Sequence, residues 1–277
     1  EVYHSMYTHA FDGIKSTLLG IGTHTSPPLV YTNELVPVRA ADQPGGIGWR
    51  KLSKQDHLVC FLGGTMMLGA AASGNRDSLT PPQRDATLLE DWRVGHELTR
   101  TCVDTYTSAA TGLAPEIVFF RPPNDTRNVG THREWVVKRT NPGSKEPAID
   151  ARNILRPETV ESLFVAFQLT GDDVYRRWGW EIFEAFRRHC RVDGGKAGYA
   201  GIVDVDAETP QQIDRMETCV SARALPRLTS SFWLSETLKY LYLLFARRRM
   251  LPLDRWVFNT EAHPLPVFTP QFPTGVP

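Results

Sequence analysis

"RPETVESLFVAFQLTGDDVYRRWGWEIFEAF", residues 156–186, reads as two helices joined by a short break. Val160, Leu163, Phe164 and Phe167 recur at i, i+3, i+4 and i+7, the spacing that lines one helix face with apolar side chains. "TGDD" interrupts the pattern, and Tyr175, Trp178, Ile182 and Phe186 then carry a second helix, completing an αα-hairpin. The first helix opens on "LRPE". Pro157 suits a first turn, where its missing N–H leaves nothing unsatisfied, and Glu158 and Glu161 favour the positive end of the helix dipole. Helix-start chemistry alone accounts for both acids. They also stand three residues apart on one face, with Cβ atoms about 5–6 Å apart, and Arg156 adjoins them. Two close carboxylates and an arginine suit the binding of a polyol, the polarising of water, or the holding of a hydrated metal.

Working outward, helical spacing continues through most of the chain. In "HLVCFLGGTMMLG", Leu58, Phe61, Leu62 and Leu68 keep it. "PPQRDATLLEDWRVGHELTRTCVDTYTSA" reads as a long helix opened by prolines, with Leu89, Trp92, Leu98, Cys102 and Tyr106 on one stripe. A further helix holds Leu234, Leu238, Leu241, Tyr242 and Phe245. Residues 71–82, 121–150 and 192–212 are polar and turn-rich, and "EWVVKRT" within the second alternates like part of a hairpin. No period-2 run is long enough for a major sheet, and strands do not alternate with helices, which excludes Rossmann-type and (βα)8-barrel folds. Helix pairs stacked side by side remain: an all-α solenoid or an α/α toroid, with small β-hairpins in the loops.

Composition narrows the partners. The chain has 277 residues, enough for one large domain or two modest ones, and 31 basic residues balance 31 acidic ones. A nucleic-acid binder needs a basic excess on one face, so nucleic acid is excluded as a partner. No run of about 18 apolar residues suggests a membrane span. "EVYHSMYTHAFDGIKSTLLG" lacks the features of a signal peptide and reads as the middle of an amphipathic helix, as a piece of a longer chain would. Cys60, Cys102, Cys190 and Cys219 show no zinc spacing and read on their own as four buried thiols. "NDT", residues 124–126, is a glycosylation sequon that matters only in a secretory compartment.

Other acids sit as Glu158 does, at the mouth of a helix or loop: Glu116 in "GLAPEIVFF", Glu236 in "SFWLSETLKY" and Glu261 in "VFNTEAHPLP". Each is weak alone. Together they could converge at one end of a helical barrel. Thr260 can offer a hydroxyl and a carbonyl oxygen at once, which suits a hard cation such as calcium.

In this company seven stretches resemble one family. "DHLVCFLGGT" (56–65), "TGLAPEIV" (111–118), "LRPETVESLF" (155–164), "TGDDVYRRWGWEIFEAF" (170–186), "GYAGIVDV" (198–205), "ETLKYLYLLF" (236–245) and "VFNTEAHPLP" (257–266) occur in the order found in the class I α-1,2-mannosidases, glycoside hydrolase family 47. The resemblance implies an (αα)7 barrel, of which residues 1–277 form a single partial catalytic domain, the C-terminal half. It implies an inverting, calcium-dependent hydrolase that trims terminal α-1,2-linked mannose from high-mannose N-glycans. Thr260 is then the direct Ca2+ ligand, Glu158 the general base and Glu116 a further active-site acid. Glu161, Glu236 and Glu261, with Glu158, hold calcium-bound water or the sugar. His57, Arg156 and Phe232 contact the glycan, Phe232 by stacking. Cys60 and Cys102 correspond to the family's disulfide, which places the protein in a secretory lumen, endoplasmic reticulum or Golgi, or outside the cell. The parent chain is expected to be membrane-anchored through an N-terminal segment.

Two departures stand out. The family's N-terminal half, with its proton donor and a further catalytic aspartate, has no counterpart here, so this chain alone is expected to be inactive. Residues 218–230, thirteen in all, interrupt the family pattern between "RME" and "SFWLSETLKY". They are either a loop on the barrel rim or an untranslated segment kept in the gene model. A non-catalytic mannose-binding relative acting in glycoprotein quality control is the alternative to an enzyme.

Overall fold

The computed structural model describes residues 2–74, 79–125, 133–138, 148–213, 232–247 and 250–268. Its helices among these are α1 (Val2–Thr17), α2 (Phe61–Gly74), α3 (Ala86–Thr107), α4 (Glu158–Thr170), α5 (Asp173–His189) and α6 (Leu238–Phe245). Helix α4 is the hub: it packs against α2, α3, α5 and α6. Ten of its thirteen residues are buried, from Glu158 at the start to Leu169 near the end. The apolar stripe read from the sequence marks only one of its faces, whereas the helix is enclosed on nearly all sides.

The hairpin forms as its sequence dictates. Gly171 takes the left-handed conformation (φ 73°) that ends a helix cheaply only for glycine, and its N–H donates to Phe167 O at 2.8 Å. One residue on, the Asp172 carboxylate caps α5 by accepting from Val174 N at 2.8 Å. Helix α5 buries Tyr175, Gly179, Ile182, Ala185 and Phe186 and leaves its other face to solvent, so it is an outer layer on α4.

Helices α2, α3 and α4 approach unusually closely, and glycine permits it. A Cβ on Gly63 would stand 2.9 Å from Gly95 O, and a Cβ on Gly95 2.7 Å from Gly63 O. On the other flank a Cβ on Gly64 would meet Ser162 Cα at 2.9 Å. The Ser162 hydroxyl accepts from Gly64 N at 2.8 Å and donates to Cys60 O at 2.5 Å. The Cys60–Cys102 disulfide ties the same corner, with Cα atoms 5.8 Å apart. Cys190 is a free, buried thiol whose pKa burial pushes up.

Three apolar stripes differ from the sequence expectation. Residues His57–Cys60 form a 3-10 turn, and α2 starts only at Phe61. Leu58 and Phe61 therefore face solvent, and the buried face is Leu62, Met66, Met67, Ala70 and Ala71. Helix α3 begins at Ala86 under an Asp85 cap rather than at the prolines, which leaves Leu89 exposed while Leu98, Cys102 and Tyr106 stay in the core. A π-helical turn, Trp233–Thr237, precedes α6 and rotates its face. As a result Leu234, Tyr242 and Phe245 are exposed, and Tyr240, Leu241, Leu243 and Leu244 are buried. The run His57–Gly74 is also long and apolar enough, by composition, to cross a membrane. Half of it is buried inside this fold, as befits a core helix.

Strands are short and antiparallel, in sheets of two or three among the described residues. One sheet joins distant segments: Lys54–Asp56, Ile117–Phe120 and Trp135–Val136. "EWVVKRT" contributes its last strand, paired with the apolar run after Glu116 rather than within itself. The hairpin Glu34–Arg39 with Ile47–Leu52 had no counterpart in the sequence reading. The 218–230 segment and Cys219 lie outside the described residues, as does the end of the sequon.

The glycine crossing yields a paired test. Gly95→Ala is expected to lose about 1–3 kcal/mol in denaturant unfolding, because the clash is with backbone and cannot be relieved by a side-chain turn. Gly74→Ala, whose Cβ would meet only Leu88 Cδ1 at 3.8 Å, is expected to lose nothing.

Candidate active site

The site gathers at the start of α4. Its approach is strained: Leu155, fully buried, has φ of 65°, a conformation that costs a non-glycine residue roughly 1–2 kcal/mol. Two partners hold it there. Asn153 Oδ1 accepts from Leu155 N at 3.0 Å, and the Thr237 hydroxyl donates to Leu155 O at 2.5 Å. The turn presents Arg156, then Pro157, then Glu158 in the first helical turn, and Glu161 N donates to Pro157 O at 2.8 Å.

Each acid has a different partner. Glu158 Oε2 accepts from His57 Nδ1 at 2.8 Å, and Arg156 Nη1 lies 3.6 Å from Oε1. Glu116 Oε2 accepts from Arg156 Nε at 2.9 Å. The Arg156 guanidinium also sits over the Phe232 ring, 5.1 Å from its centroid. Glu161 Oε1 accepts from the Tyr240 hydroxyl at 3.3 Å. Glu236, in the π turn, is buried beside Ser235. The strand pairing places His57 and Glu116 together, since His57 N donates to Glu116 O at 2.8 Å just beyond the Asp56–Ile117 pair.

These settings separate the carboxyl groups. Burial pushes Glu158 up, but the His57 hydrogen bond, its own helical N–H and Arg156 outweigh that, and its pKa falls below the usual range. Burial raises Glu161 to about 7, helped by the charges of Glu158 and Glu236. Glu236 is raised by burial and by Glu158, and Glu116 by burial in spite of Arg156.

Thr260 and Glu261 lie exposed at the tip of a hairpin, between strands Trp256–Phe258 and Pro264–Pro266. Asn259 Oδ1 ties the tip by accepting from Glu261 N and His263 N, and Lys239 of α6 donates to Ala262 O at 2.8 Å. Phe258 packs on Phe164 and Tyr240, which sets the hairpin over α4 and α6. Glu261 is close enough for its charge to raise Glu236. Among the described residues, no group of three or more His, Cys, Asp and Glu side chains is arranged to ligate a metal directly. Thr260 is exposed and carries a hydroxyl and a carbonyl oxygen, donor types that suit a hard cation such as calcium.

His57, Glu116, Arg156, Glu158, Glu161, Phe232 and Glu236 lie together around the start of α4, and Thr260 and Glu261 are on the exposed hairpin tip. His57 is buried behind Glu158, and both ring nitrogens are taken, Nδ1 by Glu158 and Nε2 by the Tyr106 hydroxyl at 2.9 Å. Its ring meets the protein where a glycan contact was expected. Sequence reading missed Tyr106, Thr159, Tyr240, Asn153 and Thr237. Only Asn153, whose side chain favours turns, carried a local signal.

Residues 1–267 match the family model described as Glycosyl hydrolase family 47. The chain belongs to that family. Among similar proteins, a mannosyl-oligosaccharide 1,2-alpha-mannosidase of Arabidopsis thaliana is 40% identical over 265 residues, 95% of this chain and 38% of the relative. The endoplasmic reticulum mannosyl-oligosaccharide 1,2-alpha-mannosidase of Schizosaccharomyces pombe is 38% identical, over 96% of this chain and 44% of its own length. The human protein of that name is 39% identical over 95% of this chain and 30% of its own. The family 47 chain therefore spans less than half the length of these relatives. An alpha-1,2-mannosidase structure from Trichoderma reesei, 23% identical, superposes with a TM-score of 0.66 over 96% of this chain and 47% of that one, which shows a shared fold.

The raised Glu161 sets a pH dependence. A folded-state pKa of about 7 against an unfolded value near 4.5 gives stability that is present below pH 4.5 and lost as pH rises through 7. Glu236 and Glu116 act with the same sign, whereas Glu158 has the opposite one: its contribution is present above its ordinary pKa and is lost as pH falls through the depressed value. In chelator, stability is expected to drop between pH 5 and 8, about 3 kcal/mol of it through Glu161. Glu161→Gln is expected to remove that part of the drop in unfolding midpoints.

Proposed function

We propose that this chain is the C-terminal half of an inverting α-1,2-mannosidase with an (αα)7 barrel, acting on terminal mannose of high-mannose N-glycans. The observation that carries the reading is the division among the acids at the start of α4. Glu158 is held ionised beside a histidine and an arginine, while Glu161 and Glu236 are driven toward the neutral form by burial and by the charge of Glu158.

An inverting glycosidase needs a carboxylate that can take a proton from water on one side of the sugar and a carboxylic acid on the other. Glu158 is the base in this reading: it is buried, ionised and fixed by His57. Arg156 spans Glu116 and the Phe232 ring and so sets one wall, where Phe232 stacks on a sugar face. Glu161, Glu236 and Glu261 order water and sugar hydroxyls. Thr260 would hold Ca2+ through its oxygens, and the ion would supply positive charge that offsets the acids and helps to bind sugar hydroxyls. The proton donor comes from the part of the protein that corresponds to the relatives' remaining length. The disulfide supports a secretory-lumen setting, endoplasmic reticulum or Golgi.

Calorimetry with Ca2+ on the purified chain is expected to show binding that Thr260→Ala abolishes. In the protein extended to the relatives' full length, release of mannose from a high-mannose oligosaccharide is expected to fall about 10²–10⁴-fold on Glu158→Gln, with Ca2+ binding kept. Turnover unchanged by Glu158→Gln would overturn the assignment of the base. Glycan binding without any turnover would point to the non-catalytic relative.

A further inference from the structure

Behind Glu158 three buried groups form a row that the proposed reaction does not use directly. His57 Nδ1 contacts Glu158 Oε2 at 2.8 Å, and His57 Nε2 contacts Tyr106 Oη at 2.9 Å and Thr159 Oγ1 at 3.2 Å. Tyr106 and Thr159 are buried to within 1% and 0% of exposure, so water does not complete their hydrogen bonds. Beyond the His57 ring and each other, neither hydroxyl has a hydrogen-bond partner among the described residues, so the protons can be placed by counting.

An ionised carboxylate only accepts, so the Nδ1 proton points at Glu158. Two arrangements remain for the rest. In the first, the imidazole is neutral: Tyr106 O–H donates to the Nε2 lone pair, and Thr159 O–H donates to Tyr106 Oη. Every proton then runs toward Glu158 and each finds an acceptor. In the second, the ring is an imidazolium. Its Nε2–H must donate to Tyr106 Oη, Tyr106 O–H must turn to Thr159 Oγ1, and Thr159 O–H is left buried with no acceptor. An unmet buried hydroxyl is costly, which disfavours the second arrangement.

We propose that Tyr106, seconded by Thr159, is a positioning residue that holds His57 as a neutral imidazole with its single proton on Nδ1, aimed at Glu158. The inference deepens the reading of Glu158 as base and rests on it for its catalytic meaning. A neutral donor fixes the carboxylate's orientation without the full attraction of a cation, so Glu158 keeps its capacity to take a proton from water. The filled Nε2 lone pair also closes the inward side of His57 to a second proton. The charged groups around the row are Glu158 and Arg156 of the α4 turn and Glu116 at the neighbouring strand, with the Cys190 thiol behind Tyr106. None of them replaces the Tyr106 hydroxyl at Nε2.

The test is the protonation of His57 read from ring-nitrogen chemical shifts in the 15N-histidine-labelled chain, with His57 assigned by its loss in His57→Gln. Between pH 5 and 8 the unmodified chain is expected to keep one protonated-type nitrogen, Nδ1, and one bare nitrogen, Nε2. Tyr106→Phe is expected to free Nε2, so that His57 acquires a second proton on acidification within the same range. Two protonated nitrogens in the unmodified chain throughout, or a proton on Nε2 alone, would overturn the proposal. So would a Tyr106→Phe chain, folded by circular dichroism, whose His57 shifts match the parent at every pH. Should Tyr106→Phe fail to fold, the shifts of the unmodified chain decide by themselves. The readout needs no turnover, so failure of the mannosidase reading would appear separately, as mannose release unaffected by Glu158→Gln.

Discussion

A helix enclosed on nearly every side begins with carboxylates, and the rest of the site answers that conflict. Burying an ionised acid is unfavourable unless donors compensate it. Around Glu158 the compensation comes from His57, from its own backbone N–H and from Arg156. These donors arrive from separate places: a 3-10 turn before α2, α4 itself, and a left-handed turn before it. Their convergence depends on α2 lying close against both α3 and α4. Small residues at Gly63, Gly64 and Gly95 make that approach possible, and Ser162 and the disulfide hold it. A packing feature with no charge of its own thus sets the electrostatics of the site.

Much of this was legible in sequence because the signals are local. The helix pair at 156–189 carries its own period, its glycine stop and its aspartate cap. The clustering of Arg156, Glu158 and Glu161 follows from helical spacing alone. The long motifs from 56 to 266 carry the family resemblance by themselves. What the sequence hid is set by tertiary context. The face of α2 turned because a 3-10 segment precedes it, and that of α6 because a π turn does, and neither leaves a compositional mark. Tyr106 looked like one more apolar position on α3. Its hydroxyl acquires a role only because strand pairing brings His57 beneath it. His57 itself was placed at the glycan, whereas its ring nitrogens are spent inside the protein.

The acids also show why a list of conserved-type residues is less informative than their surroundings. Glu158 and Glu161 are the same residue type, on the same helix face, one turn apart. One lies against donors and is held ionised. The other faces a tyrosine hydroxyl and two like charges in a buried setting, and its pKa is pushed up to about 7. A cation arriving among them would act most on the second kind, because those groups have the most repulsion to lose.

Leu155 carries a consequence of a different sort. Its backbone is in a region that favours glycine, yet its side chain is sealed in the core. Glycine would relax the backbone and leave a hole, asparagine would tolerate the turn and bring an amide into an apolar setting, and the β-branched residues suit neither requirement. Few replacements meet both demands at once. The residue beside the site is therefore a point of low mutational tolerance that touches no substrate, and drift there would be curbed by geometry alone.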